Sequence, residues 1–115
     1  MGKTLTIRVS ASTYDVREVA RRWPALCRLA WPSRHRDEDP DGVLQLVSAL
    51  HDRARFSDDM SREAKEMLAD GAAQAARLAR DLEDALGERN PQAADKISYE
   101  IEDCLDGLEK NAAKL

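Results

Sequence analysis

"LEDALGERNPQAAD", residues 82–95, decides the fold. Apolar residues recur at helical spacing as far as Leu86. Gly87 suits the left-handed backbone position that ends a helix, Asn90 can cap a new one, and Pro91 can open it, where a missing N–H costs nothing. A stop and a restart this close together predict two helices lying antiparallel.

Outward from that turn the two arms match. Upstream, Met60, Ala64, Met67, Leu68, Ala75, Leu78, Leu82 and Leu86 form one apolar stripe, with Ser57 as the expected cap and Asp58 and Asp59 at the positive helix end. Downstream, Ala94, Ile97, Ile101, Cys104, Leu105, Leu108 and Ala112 form the other. The sequence therefore predicts a long αα-hairpin over about 58–113. Gly71 lies inside the first arm, where glycine costs up to about 1 kcal/mol against alanine but lets another backbone approach. The run "GAAQAARLA", residues 71–79, suits such close packing. A hairpin cannot bury its own stripe completely. A covering helix is expected over about 40–56, capped by Asp39, opened by Pro40 and striped by Val43, Leu46, Val47, Leu50 and Ala54. A second copy of the chain can cover the remainder.

The front end has a different period. In "KTLTIRVSASTYD", residues 3–15, Leu5, Ile7 and Val9 alternate with Thr4, Thr6 and Arg8, which predicts a short β-strand. Ser12 and Asp15 have capping-box spacing, so a first helix is expected from about Thr13, with Val16, Val19, Ala20 and Trp23 on one face. Pro24 breaks it, leaving "PALCRLAW" as a kinked or separate short helix, and Pro32 ends that piece. "PSRHRDEDPDG", residues 32–42, is a polar loop. The expected fold is mainly α: a helical bundle of one hairpin and one covering helix, preceded by an N-terminal strand and a broken helix. The chain reads as a single domain over 1–115, with a basic strand–helix assembly segment at 1–36 and an acidic bundle at 37–115.

Charge follows the same division. The net charge of −4 conceals +6 over residues 1–36, from eight basic and two acidic side chains, and −10 over the rest, from ten and twenty. Such a split marks either a nucleic-acid-binding end or two halves that attract each other, within a chain or between chains. With 35% charged and 4% aromatic residues, the core must be built from Leu, Val, Ile, Met and Ala. No apolar run approaches the roughly 20 residues of a membrane span, and the start lacks the apolar core of a signal peptide, so a cytoplasmic location is expected. Cys27 and Cys104 belong to no C-x-x-C pair and read as small hydrophobes. With His35 and His51 they show no zinc-ligand spacing, and His51 reads as a polar residue flanking an apolar stripe.

No nucleophile elbow, phosphate loop, dinucleotide fingerprint or H-E-x-x-H is present. Glu63 and Glu66 lie one turn apart, as do Glu100 and Asp103 on the antiparallel arm, and paired carboxylates across two helices can hold Mg²⁺. This arrangement resembles the paired E-x-x-E and E-x-x-D of the all-α nucleotide pyrophosphohydrolases of the MazG type, which implies Mg²⁺-dependent nucleotide hydrolysis as one alternative. The gap between the pairs is longer here, and acid-rich solvated helix faces produce such pairs on their own.

A lone strand has unpaired edges, and the same strand of a second copy is the obvious partner. A two-fold dimer would bring Leu5, Ile7 and Val9 of both chains to one core. "TLTIRVSASTYDVREVARRW", residues 4–23, resembles the opening of the ribbon-helix-helix repressors. That resemblance implies Thr4, Thr6 and Arg8 projecting into a DNA major groove, the first alternative, ahead of the nucleotide hydrolase. The chain departs from the family where Trp23-Pro24 breaks the first helix and where "DEDPD", residues 37–41, would repel phosphate. The expectation is a non-enzymatic helical interaction protein, homodimeric, acting on an unidentified protein partner, with DNA as the alternative partner. No catalytic or cofactor-binding residue and no cofactor is assigned.

Overall fold

The computed structural model describes residues 11, 13, 15–32 and 42–114. Within them the chain forms five helices: α1 (Val16–Arg22), α2 (Pro24–Ala30), α3 (Val43–Phe56), α4 (Arg62–Gly87) and α5 (Pro91–Ala112). The described residues contain no strand. The expected strand at residues 4–9 lies outside them, so the Leu5, Ile7 and Val9 assignment does too.

Two helices dominate. α4 has 26 residues and α5 has 22. At 1.5 Å per residue they are about 39 and 33 Å long, packed against each other as the antiparallel pair that the turn predicts. Asn90 accepts a hydrogen bond from the Ala93 N–H at 3.1 Å and Pro91 opens α5, as their types require. The stop differs from expectation. Gly87 remains helical, and Arg89 takes the left-handed conformation, at φ 57°. Asn90 explains the shift. Its N–H closes on the Ala85 carbonyl (2.9 Å) while the Arg89 N–H closes on Leu86 (3.1 Å), and that pair of bonds places the left-handed residue immediately before Asn90.

The start of α4 is also later than predicted. Ser61, not Ser57, is the cap, accepting from the Ala64 N–H at 3.2 Å. Ser57 and Asp59 are engaged elsewhere. The Ser57 hydroxyl donates to Asp59, and Arg53 of α3 donates to the same carboxylate at 2.7 Å. The hairpin therefore begins at Arg62 rather than 58.

α3 has 14 residues, about 21 Å, and covers α4 from the other side, as the covering helix should. Its expected caps, Asp39 and Pro40, fall outside the described residues. Gly42 is the observed N-cap residue, and the bond comes from far away in sequence: the Val43 N–H donates to Thr13 Oγ1 at 2.8 Å. Thr13 thus serves α3, while α1 is capped by Asp15, which accepts from the Arg17 N–H at 3.0 Å.

The broken front helix enters the core rather than standing apart from it. Trp23 ends α1, and Pro24 opens α2 at its first position, so the two short helices share one residue as their joint. Leu26 of α2 is fully buried with Leu46, Leu50, Leu68, Ile101 and Leu105. The core is the meeting of α2, α3, α4 and α5. It is almost wholly aliphatic, as the composition demands.

Candidate functional site

The chemistry of the front end concentrates at the α1–α2 joint. Arg22, Trp23 and the first amides of α2 are held by three carboxylates that α5 presents on one face. Arg22 forms a two-pronged pair with Asp106, Nε to Oδ1 at 3.1 Å and Nη2 to Oδ2 at 2.9 Å, and also donates to Glu102. The Trp23 indole N–H donates to Asp106 at 2.8 Å, its ring buried beneath the Arg22 guanidinium 4.8 Å from the ring centre. Glu109 then accepts from the Ala25 N–H (3.2 Å) and the Leu26 N–H (3.0 Å), so α2 is capped by a side chain of the last helix. Pro24 has no N–H to offer, and these two amides are the next donors in line.

Electrostatics follow from this geometry. The hydrogen bonds from Arg22, and after them the one from Trp23, hold the Asp106 carboxyl below its usual range, and Arg22 is raised in return. Asp59 is drawn down to about 2, first by Arg53 and next by the Ser57 hydroxyl. Asp15 is lowered chiefly by the Arg17 amide it caps, and burial pushes the Cys104 thiol up. The basic front and the acidic rear are thus joined within the chain. Arg17 and Arg21 pair locally with Asp15 and Glu18, and Arg22 reaches across to α5.

Beside this joint lies a cleft of about 1050 Å³. α3 is shorter than the hairpin it covers, and the cleft occupies the end where α3 begins. Its apolar walls include Val19, Val43, Leu44, Leu82 and Ile101. Asp15, Glu18, Arg22 and Glu102 add charge to the same cleft, and Ala11 and Thr13 bring the chain to its edge.

The predicted site residues scatter by comparison. Thr4, Thr6, Arg8, Leu5, Ile7, Val9 and His35 lie outside the described residues. Glu63 and Glu66 are exposed near the start of α4, and Glu100 and Asp103 are exposed on α5. The hairpin register separates the two pairs. Cys104 Sγ sits 3.5 Å from the Gly71 carbonyl, so Glu100 lies level with residues well beyond Glu66, roughly 15 Å further along the axis. Among the described residues no group of three or more His, Cys, Asp or Glu could hold a metal ion. Cys27 and Cys104 are half-buried on different helices, each with a backbone carbonyl in contact, Val19 and Gly71 respectively. His51 is half-buried on α3. No described helix is long and apolar enough to cross a membrane.

Arg22, Trp23, Glu102, Asp106 and Glu109 were not singled out by sequence. The spacing of the three acids, four residues and then three, places them on one side of α5 and is the signal that could have found them. Comparison with protein-family models, with curated proteins and with solved structures finds no match for the chain.

Proposed function

We propose that the protein is a non-enzymatic helical assembly protein that works as a homodimer, joined through its N-terminal strand. The observation that carries this reading is the α1–α2 joint. Arg22, Trp23 and the first amides of α2 are tied to α5 by six bonds to Asp106, Glu102 and Glu109. Such a clasp gives the front of the chain a rigid base, which suits a segment that must present residues 4–9 in one orientation. Leu5, Ile7 and Val9 of two copies would then pair across a two-fold axis, adding main-chain bonds to apolar burial.

Sedimentation equilibrium tests it. The parent chain should sediment as a dimer, and Ile7→Pro, which removes a main-chain donor and an apolar side chain together, should sediment as a monomer. A parent that is monomeric at high concentration overturns the reading. Binding to random-sequence duplex DNA that falls steeply with salt would replace it with the ribbon-type DNA-binding alternative.

A further inference from the structure

We draw no further inference here: the strongest candidate, the half-buried apolar seam of Met67, Leu78, Ile97 and Cys104 along the α4–α5 hairpin, carries nothing, because nothing in the structure shows what covers it.

Discussion

Gly71 of α4 and Leu108 of α5 stand so close that a Cβ on Gly71 would lie 2.3 Å from the Leu108 Cδ2 atom. Helix propensity alone favours alanine at position 71 by up to about 1 kcal/mol, but the contact reverses the sign. Overpacking of this kind costs about 1–3 kcal/mol. Gly71→Ala should therefore lower the unfolding midpoint, and in a Leu108→Ala background, itself less stable, the same change should cost less. Gly107, one residue from Leu108, has open space around its missing Cβ. Gly107→Ala should stabilise by about 0.5–1 kcal/mol, so the interface glycine and the exposed one are expected to respond in opposite directions. Denaturant titration of the five chains decides it.

Arg89 offers a second reversal. A non-glycine residue at φ 57° costs about 1 kcal/mol, and Arg89 is exposed, with its N–H already in the turn. Arg89→Gly should raise stability by about 0.5–1 kcal/mol, measured by thermal unfolding. A loss would mean that the side chain contributes more than the backbone strain removes.

Asp106 sets an acid limit. Its folded pKa lies below the unfolded value, so the stability it contributes is complete above the unfolded carboxylate range and is lost as pH falls through the folded value. Asp59 and Asp15 act in the same sense. The unfolding midpoint should decline as pH is lowered from about 5 towards 2. In Asp106→Asn that decline should be shallower and the neutral-pH midpoint lower. A slope identical to the parent's would show the pair with Arg22 to be energetically idle.

Leu82 and Ile101 are 4% and 2% exposed. Replacing either with Asp places an unpaired charge in an aliphatic wall and should cost several kcal/mol. Circular dichroism melts should show it in both variants, and an unchanged melt in both would contradict the hairpin packing.

Calorimetric titration with Mg²⁺ or Mn²⁺ should find no site tighter than about millimolar, since Glu63 and Glu66 sit far along the axis from Glu100 and Asp103. Nucleoside triphosphate hydrolysis that disappears in Glu100→Gln would reverse that assignment.

The hairpin was legible because its signals are local. Two stripes, an Asn-Pro restart and short connections all act within a few residues of where they stand. The errors arose where a local preference met a distant or competing partner. Ser57 has the right chemistry for a cap, but Arg53 and Ser57 both converge on Asp59 and the helix waits for Ser61. Gly87 has the right backbone freedom, but Asn90 serves two helices at once and fixes the left-handed turn at Arg89. The joint at Arg22 and Trp23 was invisible for the same reason. Its partners lie on α5, 80 or more positions away, and no periodicity within α1 points to them.

That distance also sets an order of events. A chain made from its amino end releases α1 and α2 long before Asp106 and Glu109 exist. Until then the Trp23 indole and the first amides of α2 have only water as partner. The hairpin, whose contacts close across one tight turn, is the unit that can form promptly, whereas the front can dock only onto a finished α5. The nascent front end is thus the stretch that a chaperone would meet first and release last.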